Sequence, residues 1–338
     1  MKHLLFIFFS LFTGSVLLGQ STITNLVFEG AGIKGLAYSG VVYELEQQGV
    51  MDGVRQVAGT SAGAITAMLV ALDYRAEEVL GIVSATKFQS FNDVGFFFFG
   101  GVNRMARSYG WYKGEKFLRW LEGHIAHKTG NADITFAEMK AAGFRDLYVV
   151  ASCINQQRQV VLSHQTYPNM KIKDAVRISM SIPFYFEPIW IDQDGQRVKR
   201  PKDLNGFDLM VDGGILGNYP IFVFDTILVN DCGQPQRWAN PATLGVRMDS
   251  DAQIALDRSS GGLAPQDLGS FSQYAAASFI FIAESLNRPF CTPGDWARTI
   301  SVSSLDIGPK IKRMSEDQKS RLFESGRAAT AAFLGEKG

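Results

Sequence analysis

The stretch Val57-Ala58-Gly59-Thr60-Ser61-Ala62-Gly63-Ala64-Ile65-Thr66-Ala67-Met68-Leu69 constrains this chain more than any other. It holds Gly-x-Ser-x-Gly as Gly59-Thr60-Ser61-Ala62-Gly63, the pattern of a strand that turns sharply into a helix. Glycines at both flanks allow a turn that a Cβ would crowd, and the serine between them is left on a strained corner. From Ala62 to Leu72 there is no charge and no glycine after Gly63. An Ala-rich helix that is apolar all round belongs in a core. Its N-terminus points at Ser61 and favours negative charge there.

What such a buried helix packs against is set by its neighbours in sequence. Asn25 to Glu29 reads as a short buried strand, running into Gly30-Ala31-Gly32-Ile33-Lys34-Gly35. Ala37, Val41, Val42 and Leu45 recur at helical spacing and stop at Gly49. A second strand, Arg55 to Ala58, then leads to the serine turn. This β-α-β-α opening predicts a parallel sheet covered by helices. Helices are expected over Arg75–Thr86, Trp111–His127, Phe136–Ala142, Lys173–Met180 and Ser270–Leu286. A last helix starts at Ser315, with Gln318 completing a capping box. Leu147–Ile154 and Gln159–Leu162 read as a hairpin; Leu209–Val211, Ala242–Met248 and Thr299–Val302 read as strands. Gln193 to Asn205 is a polar surface excursion. The four aromatics Phe96 to Phe99 have no amphipathic period and serve as core or as the lip of an apolar site.

Formal charge balances at 33 basic against 33 acidic residues, so the basic face a nucleic-acid partner requires is missing from the expectation. Residues 1–19 stand apart. Lys2 precedes an uncharged apolar run from Leu4 to Leu18, and Gly19 suits a cleavage site before Gln20. That is the pattern of a secretory signal peptide, and the run is short for a membrane span. The expectation is export to a periplasmic, outer-membrane-associated or secreted location. Residues 20–338 would then form one domain without a transmembrane segment. Cys153, Cys232 and Cys291 lack metal-ligand spacing and read as small buried hydrophobes.

Three glycine-bearing turns follow strands: Gly30 to Gly35, the Ser61 corner, and Asp212-Gly213-Gly214. In an open parallel sheet the strand C-terminal ends share one edge, so the three are expected to converge there. A serine hydroxyl needs a base to take its proton, and the oxyanion it creates needs fixed N–H donors. Asp212 is the base candidate, provided it is desolvated and close to Ser61. A Ser-His-Asp arrangement fits poorly, because only His124, His127 and His164 follow residue 20 and none follows Asp212. Gly30-x-Gly32-x-x-Gly35 after a strand is also the dinucleotide fingerprint, but strand two ends in Gly59-Thr60-Ser61 where that reading wants an acid.

In the order of these motifs, and in the stretch Asp174-Ala175-Val176-Arg177-Ile178-Ser179-Met180-Ser181-Ile182-Pro183, the chain resembles the patatin-like phospholipase family, in particular its bacterial, exported, single-domain members. The resemblance covers residues 24 to 225 most closely. It implies a three-layer α/β/α fold with a central, mostly parallel sheet. It further implies a Ser61–Asp212 dyad acting on lipid acyl esters in the manner of a phospholipase A or lysophospholipase. The amides of Ala31 and Gly32 would form the oxyanion hole, within a motif set of Gly30, Gly32, Lys34, Gly35, Gly59, Gly63, Gly213 and Gly214. The chemistry would need neither metal nor cofactor. The substrate would be met at a membrane surface or in solution. A departure is Ala31, where the family carries a third glycine. A lipid-binding protein with a relic site is the alternative, since resemblance of fold is not activity.

Overall fold

The computed structural model describes residues 22–93, 105, 107–230, 232–259, 262–266, 268–288, 291–307 and 314–336. Phe96 to Phe99 and the proposed signal segment lie outside them. In chain order the strands are β1 (Asn25–Phe28), β2 (Gln56–Thr60), β3 (Gly110–Tyr112), β4 (Asp146–Cys153), β5 (Arg158–Leu162), β6 (Phe184–Phe186), β7 (Ile189–Ile191), β8 (Arg197–Val198), β9 (Asp208–Asp212), β10 (Thr226–Val229), β11 (Pro235–Trp238), β12 (Thr243–Asp249) and β13 (Thr299–Ser303). A nine-stranded sheet runs β13-β12-β1-β2-β4-β9-β7-β8, with β5 paired to β4. The pairings from β13 through β4 are parallel. Beyond β4 they are antiparallel. The mostly parallel α/β sheet is therefore as expected.

Successive residues of a strand point to opposite faces, and the core follows that alternation. Leu26 and Phe28 join the large core with α1 (Ala37–Gln47), α2 (Ala62–Ala71) and α3 (Ala76–Ala85). Val27 faces the other way, into a smaller cluster with Ala58, Tyr148, Tyr219 and Ile221. Every residue of α2 is buried. The last helix, Glu316–Gly335, carries the Ser315–Gln318 capping box.

Three expectations change. The helix drawn from Trp111 begins at Glu115, because Gly114 takes a left-handed conformation and Trp111 and Tyr112 belong to β3. The segment after Asp225 forms an unforeseen hairpin, β10–β11, whose Ile227, Leu228, Val229 and Trp238 are exposed. It was hidden because one strand starts at a proline and neither has a buried face to impose alternation. Of the thiols, Cys153 is buried, Cys291 half-buried and Cys232 exposed, so the buried-hydrophobe reading fails for Cys232, which sits in the turn of that hairpin.

Candidate active site

Ser61 lies between β2 and α2 at φ 52° and ψ −123°. A non-glycine residue with positive φ is uncommon, and strain of this kind costs about 1–3 kcal/mol. The corner is held from several sides. A Cβ on Gly63 would collide with the carbonyl oxygens of Phe28 and Glu29, so this glycine lets the start of α2 lie against the end of β1. The Ser61 N–H donates to Ser179 Oγ at 2.9 Å, and Ser179 Oγ–H donates to the Val150 carbonyl at 2.6 Å. Thr60 Oγ1–H donates to the Gly217 carbonyl at 2.8 Å.

Asp212 reaches this corner by register. Its strand β9 runs antiparallel to β4, so the shared polarity expected of the three turns does not apply to it. Asp212 pairs with Ala151, next to Val150, which pairs with Thr60. A short strand entering from the far side and ending at that level puts its last residue beside Ser61. The Ser61 hydroxyl donates to Asp212 Oδ2 at 2.8 Å. The Gly214 N–H donates to Oδ1 at 2.7 Å, and the Asp212 N–H to the Ser181 carbonyl at 3.0 Å. Asp212 is only 4% exposed, and among the described residues no cation pairs with it. Burial pushes its carboxyl from 3.8 up to about 7, against the opposing pull of the Gly214 and Ser61 hydrogen bonds. It is a carboxylate made basic by desolvation.

The Gly30–Gly35 turn arrives on the same edge. Gly32 takes φ +56°, whereas Ala31 sits at φ −129°, so the positive φ falls on the glycine and the Ala31 methyl costs nothing. The N–H groups of Ala31 and Gly32 have no hydrogen-bond acceptor among the described residues. Lys34 is half-buried, and burial lowers its ammonium below the usual lysine range against the opposing pull of Glu29. It is not the freely solvated lysine that a helix start suggests.

Asn218 ties this turn to the aspartate turn, and sequence reasoning missed it. Its Nδ2 donates to the Gly30 carbonyl at 3.1 Å and to Glu29 Oε1 at 3.2 Å, while the Gly30 N–H donates to the Asn218 carbonyl at 3.0 Å. An Asn within a glycine- and proline-containing turn was the available signal. The sequence reading places Ser179 and Met180 in a helix that ends before Ser181 and gives none of the three a role in the site. Met180 Sδ lies 3.5 Å from Ser61 Oγ.

The histidines stand elsewhere. His164 Nδ1 is 3.7 Å from Asp146 Oδ1. Asp146 pairs with Gln56, five residues before Ser61 on the same strand path, which is about 16 Å at ~3.3 Å per residue. His127 stacks on Tyr74 and His124 packs edge-on against Trp120. No cluster of His, Cys, Asp or Glu suited to a metal ion occurs among the described residues.

A strand-to-helix serine, a buried carboxylate and a glycine turn on one edge of a three-layer α/β/α sheet define the class of this protein. The chain belongs to the patatin-like phospholipase family, whose model matches residues 26–225. It is 30% identical over 208 residues to Uncharacterized protein YqhO of Bacillus subtilis, an alignment covering 59% of this chain and 65% of that one. It is 25% identical over 198 residues to Probable lipid hydrolase 463L of Invertebrate iridescent virus 6, covering 58% and 61%. The chain thus spans under two thirds of the length of these relatives. Among solved structures it is similar to VipD from Legionella pneumophila, with TM-score 0.55 and 14% identity over 93% of this chain and 67% of that one. It is also similar to the ExoU–SpcU complex of Pseudomonas aeruginosa, with TM-score 0.51 and 18% identity over 94% and 52%. At these identities the likeness is one of fold.

Proposed function

We propose that this protein is a serine hydrolase of lipid acyl esters, of the phospholipase A or lysophospholipase type, working through a Ser61–Asp212 dyad. The observation that carries the reading is the 2.8 Å hydrogen bond from the Ser61 hydroxyl to a buried, cation-free carboxylate. As Ser61 Oγ attacks the ester carbonyl, its proton passes to Asp212 Oδ2. The carbonyl oxygen becomes an oxyanion, for which the unpaired N–H groups of Ala31 and Gly32 are the donors, with the N-terminus of α2 behind Ser61. The intermediate collapses, and Asp212 returns the proton to the departing alcohol. A water then attacks the acyl-serine with Asp212 again as base; the acyl C–Oγ bond breaks, the fatty acid leaves, and Asp212 returns the proton to Ser61 Oγ. Desolvation matters because a carboxylate near 3.8 is too weak a base for this work. The amino-terminal segment supports action outside the cytoplasm, with the chain from Gln20 onward as the working unit.

A fluorophosphonate probe should label the wild-type protein, and Ser61→Ala should abolish both labelling and p-nitrophenyl butyrate hydrolysis while circular dichroism stays unchanged. An unlabelled wild-type protein would point to lipid binding without catalysis. Retained hydrolysis in Ser61→Ala would remove Ser61 from the mechanism.

A further inference from the structure

The oxyanion donors of the proposed reaction are backbone N–H groups, and a backbone N–H has no rotamer of its own. Its direction is that of the peptide plane that carries it. The Ala31 N–H shares its plane with the Gly30 carbonyl, and in a trans peptide the two point in opposite directions. Whatever holds the Gly30 oxygen therefore aims the Ala31 hydrogen. That group is the Asn218 carboxamide, whose Nδ2 donates to the Gly30 carbonyl at 3.1 Å. A carbonyl oxygen can only accept, so the nitrogen end of the amide faces it. The second Nδ2 hydrogen goes to Glu29 Oε1 at 3.2 Å, which fixes the amide in the same orientation.

The preceding peptide plane is held as well. Its carbonyl, on Glu29, accepts the Tyr38 hydroxyl at 2.9 Å, and its N–H, on Gly30, donates to the Asn218 carbonyl at 3.0 Å. The fit is close. A Cβ on Gly30 would lie 2.2 Å from Asn218 Oδ1, and one on Gly214 would lie 3.1 Å from it. The carboxamide thus fills the gap between the two glycine turns. Asn218 is in turn placed by the site. It closes the turn that begins at Gly214, whose N–H donates to Asp212 Oδ1. The Gly217 carbonyl accepts the Thr60 hydroxyl, and the Asn218 N–H donates to Asn287 Oδ1 at 2.6 Å. One short turn therefore touches the base, the strand end before the nucleophile, and the oxyanion peptide.

We infer that Asn218 is a positioning residue for the oxyanion: its side chain holds the Gly30–Ala31 peptide in the orientation that presents the Ala31 N–H to the developing charge. The inference rests on the serine-hydrolase reading above. A hydrogen bond donated to the carbonyl end of a peptide also polarises the amide and strengthens its N–H as a donor. Loss of Nδ2 therefore costs both aim and strength. The effect belongs to the transition state, because a neutral ester carbonyl carries far less charge than the oxyanion it becomes.

The test compares hydrolysis of p-nitrophenyl butyrate with that of its thiono analogue, in which C=S replaces C=O. Sulfur is a weak hydrogen-bond acceptor, so N–H donors set for an oxyanion favour the oxo ester. Wild type should show that preference in kcat/KM. Asn218→Ala should lower kcat on the oxo ester by about 10–10²-fold with KM within about twofold, short of the ~10²–10³-fold lost when a donor is removed outright. Its loss on the thiono ester should be smaller, so that the preference shrinks, while circular dichroism stays unchanged. If Asn218→Ala does not fold, Asn218→Asp, which keeps the shape and puts an acceptor where the donor was, is read in the same way. Failure of both to fold would make Asn218 a brace of the fold and overturn the inference. Equal losses on the two esters overturn it too, since the variant would then act elsewhere than at the carbonyl oxygen. So does a folded variant with the kcat of wild type. In that last case wild type still hydrolyses the ester and only this inference falls; wild type that hydrolyses neither ester removes the hydrolase reading and this inference together.

Discussion

Asp212 and Asp249 both end strands of one sheet and both are buried, 4% and 7% exposed, yet their surroundings push them opposite ways. Asp212 has hydrogen-bond donors and, among the described residues, no cation, and desolvation raises its carboxyl to about 7. Asp249 is as deeply placed, but Arg247 Nε lies 2.7 Å from Oδ2 and Arg288 Nη2 2.9 Å from Oδ1. Burial still acts to raise it; the two guanidiniums outweigh burial and hold it below the usual range. Burial alone makes a base, and burial with paired charge makes a strut. Glu29 sits between these cases. It is raised to about 8 by burial although Arg247 Nη1 is 3.4 Å away, because that arginine also serves Asp249 and Glu284.

The largest expected effect comes from removing the cation-free carboxylate. Asp212→Asn should cost at least ~10²–10⁴-fold in kcat/KM, the range attributed to general base catalysis. Its melting temperature at pH 8 should match or exceed that of wild type, since the variant no longer buries an unpaired charge. A variant near wild type in rate would break the comparison at its first term. Asp249→Asn should do the reverse and destabilise the protein by about 1.5–3 kcal/mol in a denaturant titration, because Arg247 and Arg288 lose the carboxylate they share and keep only Glu29, Glu284 and Asp257. A stable Asp249→Asn protein would show the network to be dispensable.

The third expectation is a slope with pH. A raised carboxyl stabilises the fold fully below its unfolded value of 3.8, and that contribution is lost as pH rises through about 7. Asp249, depressed, contributes above its unfolded value and loses that contribution as pH falls. For the reaction, Asp212 must be ionised to accept a proton. kcat/KM should therefore fall about tenfold per unit below pH about 7 and level off above it. A histidine could mimic such a limb, so the profile should be measured in His164→Ala as well. The limb should remain there, with kcat/KM within a few fold of wild type; its disappearance would move the base to the Asp146–His164 pair.

The candidate site residues were visible in the sequence because each carries local backbone chemistry: a serine between close-packed glycines, an aspartate before two more, and a turn whose positive φ demands a glycine. What stayed hidden depends on pairing. Nothing local says that Asp208–Asp212 runs against β4 instead of along it, since a short apolar strand reads the same in either direction. Ser179 and Asn218 are common polar residues until the fold sets them against Ser61 and Gly30. The helix Phe271–Asn287 was legible in the sequence, but helical spacing does not say which side is covered.

The antiparallel arrival of Asp212 has one more consequence. Ser61 and Asp212 are 151 residues apart in sequence and meet across β4, which pairs with β2 on one side and β9 on the other. A chain that has assembled β1, β2 and α2 but not yet docked β9 has its serine without a base. The proposed dyad therefore requires the pairing of β9 with β4. On the proposed function, a chain without that pairing carries the serine but has no base with which to cleave an ester.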